Sequence, residues 1–439
     1  MRKRNLTILL IGVPLICLLC VLVYFLPPVN DRLAWRVDEL RTRVKYALNP
    51  PAESLFIPQQ DPAVTVITIA PTTTPTGTLT ATPSPVGPTN TPEPTFTPTL
   101  TPTPLPEAVY LQGVKYEDQH NRWNYCGPAN LSMAMTYWGW DGNRDIVGEA
   151  VKPNDKDKNV MPYEMQDFVA EQGNGLETVV RFGGDIDLIR RLVANGFPVM
   201  AEKGYYEIDY TGTLGWLGHY QFINGYDDAK QVLIVQDTYV RPGIDHEISY
   251  EDFIQGWRSF NYLFMVVFPA DRAEEVYAIL GPYADLEWSN RHALEIAEAE
   301  SQVLTGIDQY FAYFNIGTSH VSLQEYGDAT YAYDYAFETI YPSLPVDGMR
   351  PYRVMWYQTW PYWAYFYSGR YQDVIDLANW TLIETISEPL IEESFYWRGL
   401  AREALGDIQG ATDDMRQSVN LNPNFTPGWV ELNRLTGGG

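Results

Sequence analysis

Gln119-His120-Asn121-Arg122-Trp123-Asn124-Tyr125-Cys126-Gly127-Pro128-Ala129-Asn130 runs directly into Leu131-Ser132-Met133-Ala134-Met135-Thr136-Tyr137-Trp138. The second half has the apolar density of a helix, predicted over 131–138, and Pro128 suits a first helical position, where its missing N–H costs nothing. The chain therefore sets a thiol at the mouth of a helix. Gly127 lets another backbone or a substrate come close, and the positive end of the helix favours a negative charge on sulfur. The chain has three cysteines, and Cys126 alone lies outside the N-terminal apolar stretch that carries Cys17 and Cys20. It is the candidate nucleophile, although a lone cysteine is more often a small buried hydrophobe.

A nucleophilic thiol needs a base. In Gly215-Trp216-Leu217-Gly218-His219-Tyr220-Gln221-Phe222-Ile223-Asn224-Gly225-Tyr226 a glycine-flanked histidine opens a strand-like alternation, and Asp227-Asp228-Ala229-Lys230 reads as the turn after it. The next strand, Gln231–Gln236, ends at Asp237-Thr238. In an antiparallel hairpin the start of one strand lies beside the end of the next, so His219 and Asp237 are expected at the same end. His120 is too near Cys126 along the chain to be the expected base, though it can line the cleft.

Gln119, Cys126-Gly127-Pro128-Ala129, Gly218-His219-Tyr220 and Asp237, in that order, resemble the papain-like cysteine peptidases. Within these, the segment from roughly 110 to 270 resembles the bacteriocin-processing, double-glycine leader peptidase family and its free-standing relatives. The resemblance implies that Cys126 attacks a peptide carbonyl, His219 takes and returns the proton, and Asp237 orients the imidazole. It further implies that Gln119 and the Cys126 N–H hold the oxyanion, with Asn124 as a competing donor. No transporter membrane domain or ATPase accompanies these residues, so a leader-processing exporter is not expected. Two other functions fit the same residues: an inactive module that binds peptide without cutting it, and acyl or amide transfer from the thioester to an amine.

Met1-Arg2-Lys3-Arg4-Asn5 precedes an uncharged apolar run from Leu6 to about Leu26, long enough at about 1.5 Å per residue to cross a hydrocarbon core of about 30 Å. The run ends in Tyr24-Phe25-Leu26-Pro27-Pro28 and not in a small-residue cleavage site, so residues 1–28 are expected to form an uncleaved transmembrane anchor. The basic tip predicts a cytoplasmic N-terminus and a single-pass protein with its globular part on the extracytoplasmic side, although Arg32, Arg36, Arg41 and Arg43 oppose this. Residues 29–68 read as a juxtamembrane segment. Residues 69–107 are mostly Thr and Pro, with little apolar surface to bury, and read as an extended spacer that lifts the globular part off the membrane.

Beyond the linker the pattern changes near residue 270. Before it, helical signals at 131–138, 161–172, 184–195 and 249–258 mix with strand signals at 177–182, 198–203, 219–226, 231–236 and 262–268. This predicts an α+β domain over 108–270, a helix packed on an antiparallel sheet. From 285 to 435 only helix pairs remain, and Tyr326-Gly327-Asp328-Ala329, Ser368-Gly369-Arg370-Tyr371 and Leu405-Gly406-Asp407 mark three degenerate units that resemble the tetratricopeptide repeat. The chemistry-bearing residues all precede 270, so these helices are expected to bind substrate or a protein partner and to contribute no chemistry. A chain ending near Ala270 is then expected to keep reactivity toward a small probe.

The net charge of −25 excludes nucleic acid and anionic membrane surfaces as partners of the globular part, since both would repel it. No glycine-rich phosphate loop and no His/Cys set at metal-ligand spacing is present, so no cofactor and no metal are expected. The partners expected are a peptide or protein substrate and, through the N-terminal helix, the membrane.

Overall fold

The computed structural model describes residues 104–437 apart from 123, 155, 156, 158, 209–213, 346–349 and 385–390, together with 56–59, Tyr24, Val37, Leu40 and Val44. The expected anchor over residues 1–28 lies outside them except for Tyr24, and among the described residues no helix is long and apolar enough to cross a membrane.

The first half builds one antiparallel sheet from β1 (Ala108–Tyr110), β2 (Leu176–Arg181), β3 (Val199–Ile208), β4 (Leu214–Asp227), β5 (Val232–Gln236), β6 (His246–Ser249) and β7 (Phe264–Pro269). The strand order is β2-β7-β3-β4-β5-β6, with β1 beside β4. Strand β4 is the spine. It pairs with β3 from Leu214 to Ile223, and β1 takes over that flank at Gly225–Asp227. On the other flank β5 reaches only from Asp227 to Phe222, which leaves Leu214–Gln221 without a strand partner there among the described residues.

His219 does not open this strand, as the sequence reading has it; it stands inside β4, opposite Lys203. The glycines taken for a strand opening serve another purpose. A Cβ on Gly218 would lie 2.7 Å from the Phe260 ring and 2.8 Å from that of Tyr357, so glycine is what lets two rings cross the strand.

Helix α1 (Cys126–Tyr137) is buried from Cys126 to Thr136, as a helix apolar on all sides should be. It starts at Cys126, so Pro128 sits within the first turn, where no helical hydrogen bond is lost. Its N-terminal turn abuts the open flank of β4: Asn130 Nδ2 donates to the carbonyl of Cys126 at 2.8 Å and to that of Tyr220 at 3.0 Å. Helices α2 (Arg144–Val151), α3 (Pro162–Gln172), α4 (Ile186–Ala194) and α5 (Tyr250–Arg258) follow. Of these, α4 shows the local logic most plainly. The Asp185 side chain caps the Leu188 N–H at 2.6 Å, and Leu188, Ile189, Leu192 and Val193 form its buried stripe.

The second half is helical: α6 (Ala273–Leu280), α7 (Leu286–Val303), α8 (Gly306–Ser322), α9 (Tyr326–Asp334), α10 (Val354–Tyr357), α11 (Trp360–Tyr367), α12 (Tyr371–Asn379), α13 (Glu392–Ala404), α14 (Ile408–Leu421) and α15 (Thr426–Thr436). The last pairs are the most regular. Gly399 on α13 admits Met415 and Ala411 of α14, and Arg398 forks onto Asp414 at 2.9 and 2.7 Å.

The helices share a core with the sheet. Trp216 of β4 packs on Phe260, Phe311 of α8 and Tyr357 of α10 with ring centroids 5.8, 5.3 and 5.7 Å away. Gln358 and Asn315 tie the helices to the carbonyls of Ser259 and Arg258, each at 2.7 Å. Phe56 is buried in the same core, its ring 5.3 Å from that of Phe337. The Pro106 carbonyl accepts from Tyr226 Oη at 2.8 Å. Phe56–Gln59 and Pro106 thus belong to the same unit as the sheet and the helices, and the expected linker over 69–107 lies outside the described residues up to 103.

Candidate active site

Three of the residues singled out in the sequence meet at the open flank of β4. His219 Nε2 is 3.1 Å from Asp237 Oδ1, and the Cys126 thiol lies close enough to the imidazole for each to shift the other's ionisation. Cys126 is 7% and His219 3% exposed, so the pair lies behind other side chains, with Tyr205 and Tyr239 packed around the imidazole. The hairpin argument holds in its essential part: β5 ends at Gln236, opposite Phe222, and the next residue, Asp237, turns back toward the imidazole.

Electrostatics follow from this geometry. Burial alone would raise the pKa of Cys126, but the hydrogen bond and positive charge of His219 and the backbone N–H groups of Tyr220 and Gly127 outweigh it, and the thiol pKa is lowered. Burial likewise opposes the charged form of His219, yet the Asp237 carboxylate and Cys126 raise it to about 10. At Asp237 burial is outweighed by the His219 charge and its hydrogen bond, so the carboxyl stays far below the usual carboxylate range. A thiolate–imidazolium pair next to an ionised aspartate is the state this packing favours.

Sequence reading missed the residues that hold these three in place. Gln221 Nε2 donates to Asp237 Oδ2 at 2.6 Å, and the N–H groups of Tyr239 and Val240 donate to Oδ1 at 2.8 and 3.0 Å. Gln221 was legible, since a strand returns to the same face every second residue and it follows His219 by two. Thr238 was not, because its role depends on a distant chain segment: its Oγ1 donates to Gln119 Oε1 at 2.8 Å, and the Gln119 N–H donates to the Thr238 carbonyl at 2.9 Å.

That arrangement orients Gln119, whose amide nitrogen has no partner among the described residues. Asn124, the competing donor, is engaged elsewhere: its Nδ2 donates to the Asp157 carbonyl at 2.9 Å. His120 receives a hydrogen bond from Arg241 at 3.1 Å and stacks near Tyr239. Asp227 and Asp228 act as the turn residues expected; Asp227 accepts from the Lys230 N–H at 3.1 Å and Asp228 from Tyr250 Oη at 2.7 Å.

The model of the Peptidase_C39 like family matches residues 111–265. The matched segment begins just after β1, ends within β7 and contains all four site candidates. A crystal structure described as a C39-like peptidase from Bacillus anthracis is similar to this chain at 16% identity and a TM-score of 0.30, over 37% of this chain and 97% of that one. No curated protein matches the chain. The segment that the family model matches is the sheet-bearing half, and the helices that follow it lie outside the match.

Among the described residues one set brings metal-ligating atoms within 4.8 Å of one another: His320, Glu325 and Asp328, at the junction of α8 and α9. His320 Nδ1 lies 2.8 Å from Glu325 Oε2, so a hydrogen bond accounts for their approach.

Proposed function

We propose that this chain is a membrane-anchored, extracytoplasmic cysteine peptidase that hydrolyses peptide bonds through Cys126, His219 and Asp237. The observation that carries the reading is a thiol at the N-terminus of a buried helix, beside an imidazole that is hydrogen-bonded to a buried carboxylate. The sulfur attacks the carbonyl carbon; His219 gives its proton to the leaving amine, then takes one from the water that cleaves the thioester. Asp237 fixes the ring and stabilises its charge. The Gln119 amide nitrogen and the Cys126 N–H would receive the oxyanion, and Thr238 fixes which way that amide faces. Residues 1–28 would anchor the protein, and the helices of 285–435, read as degenerate tetratricopeptide-like repeats, would bind substrate or a partner.

Labelling by an electrophilic peptide probe, mapped by mass spectrometry, tests this reading. Modification at Cys126 that disappears in His219→Ala supports it, and an inert Cys126 in the folded chain defeats it. The near-complete burial of Cys126 and His219 favours one rival, a module that holds peptide without cleaving it. Probe labelling without turnover of any peptide would select that rival, and product formation that requires an added amine would select acyl transfer.

A further inference from the structure

A cavity of about 380 Å³ opens between the sheet half and the helices, and Glu202 in its lining lies within electrostatic reach of Cys126 and His219. Its floor is Glu202 of β3, 1% exposed, whose ionisation Cys126 opposes and His219 favours. One carboxylate oxygen, Oε1, is buried without a hydrogen-bond partner among the described residues. The walls are aromatic: Phe182 comes from the sheet half, and Tyr326, Tyr357, Trp360 and Trp363 come from the helices. No lysine or arginine lines the cavity among the described residues.

Each of these features selects the same guest. A buried carboxylate oxygen without a partner is costly, and the group that relieves it is a donor carrying positive charge. Aromatic faces attract cations and accept an aliphatic stem. The chain as a whole, at −25, attracts basic peptides. Resting on the peptidase reading of Cys126 and His219, we propose that this cavity is a specificity pocket for a lysine or arginine side chain of the peptide substrate, with Glu202 as its counter-charge. The helices, in this view, build the wall that gives a C39-like site its preference.

Burial pushes the Glu202 carboxyl well above its usual range, which disfavours the ionised form while no cation faces it. A bound ammonium or guanidinium restores the ionised form, and the displaced proton passes to solvent. Binding should therefore release a proton as well as select a charge.

The test uses the full-length chain carrying Cys126→Ala, so that binding is read without turnover. Fluorescent peptides that exchange a single lysine for norleucine at successive positions keep the stem and remove the charge. The expected result is one position at which lysine binds at least tenfold tighter. That preference, and the proton release seen by calorimetry in buffers of different ionisation heat, should vanish in Glu202→Gln. Should Glu202→Gln not fold, Trp363→Leu serves, with the preference shrinking. Absence of peptide binding, equal affinity for the two peptides, or a preference that survives both variants overturns the pocket. An inert Cys126 in the probe experiment would defeat the peptidase reading separately, since the binding assay does not use the thiol.

Discussion

Among the described residues, two of the buried clusters of ionisable groups behave oppositely. In the first, Cys126, His219 and Asp237 alternate in charge, and Asp237 collects further donors from Gln221, Tyr239 and Val240. Its members are driven toward their charged forms. In the second, Asp157, Glu164, Glu392 and Glu393 gather where the segment after α2 meets α13, with Lys152 as the one cation among the causes acting on them. There burial comes first, repulsion from Glu392 adds to it at Asp157, Glu164 and Glu393, and every carboxyl is pushed up. Burial alone therefore does not prepare a group for chemistry; alternation of charge with hydrogen bonds does.

The largest effect should follow from breaking the first cluster. Cys126→Ala or His219→Ala is expected to lower peptide hydrolysis by at least about 10³-fold while circular dichroism stays native, because each removes a step that no other group performs. Activity retained in either variant would remove the mechanism. Gln119→Ala should cost about 10²-fold in kcat with little change in KM, the cost of one oxyanion donor. Thr238→Val should reproduce a fraction of that loss, since Thr238 acts only by turning the Gln119 amide; a KM effect instead would assign both residues to substrate binding.

The second cluster belongs to a seam, and removing the helical half removes that seam. From sequence a chain ending near Ala270 should remain reactive. The shared core argues otherwise: such a chain uncovers Trp216, Phe260 and Leu263, each worth about 1.5 to 3 kcal/mol of burial, against a typical domain stability of about 5 to 15 kcal/mol. It also deletes Tyr357, which packs against the strand of His219 at Gly218. The expected outcome is loss of cooperative thermal unfolding together with loss of probe labelling. A folded, reactive truncation would show that the helices are dispensable for the chemistry.

How much of this was legible in the sequence depends on chain distance. Helix α1, β4 and β5 were readable because their patterns are local, and Cys126, His219 and Asp237 were readable because each stands at a marked end or glycine-flanked point. The strand β6 and helix α2 were not, being short and poorly patterned. Neither was the shared core, because the aromatic residues of 310–363 look alike whether they face another helix or a sheet. Glu202 escaped notice for a related reason: an acid in a strand normally faces water, and only the cover provided by α10 and α11 makes it a floor.

The pH behaviour of the thiol sharpens the contrast further. With its pKa lowered, Cys126 should be alkylated with a midpoint below the ordinary thiol value of about 8.5. Asp237→Asn should move that midpoint upward, because losing the carboxylate lowers His219 and with it the positive charge beside sulfur. A midpoint at or above the ordinary value in the unmodified chain would favour the binding-module reading.

The smallest effect concerns stability at the acidic seam, and its sign is opposite to the usual one for carboxylates. Burial, reinforced by Glu392, raises Glu393 to about 8, and Asp157, Glu164 and Glu392 are raised too. Between the unfolded value of about 4.3 and about 8, the folded chain thus holds protons that the unfolded chain has lost. Stability from this cluster is fully present below that window and falls as pH rises through it. Glu393→Gln, which keeps the shape and cannot ionise, should gain about 1 to 2 kcal/mol over the unmodified chain at pH 8 and little at pH 4. Comparing the two chains at each pH cancels the titrations of His219 and Cys126, which they share. If the melting-temperature difference does not grow from pH 4 to pH 8, the seam carboxyls are ionised and held by Lys152 and their hydrogen bonds. The two clusters would then differ in composition and not in the state of their charges.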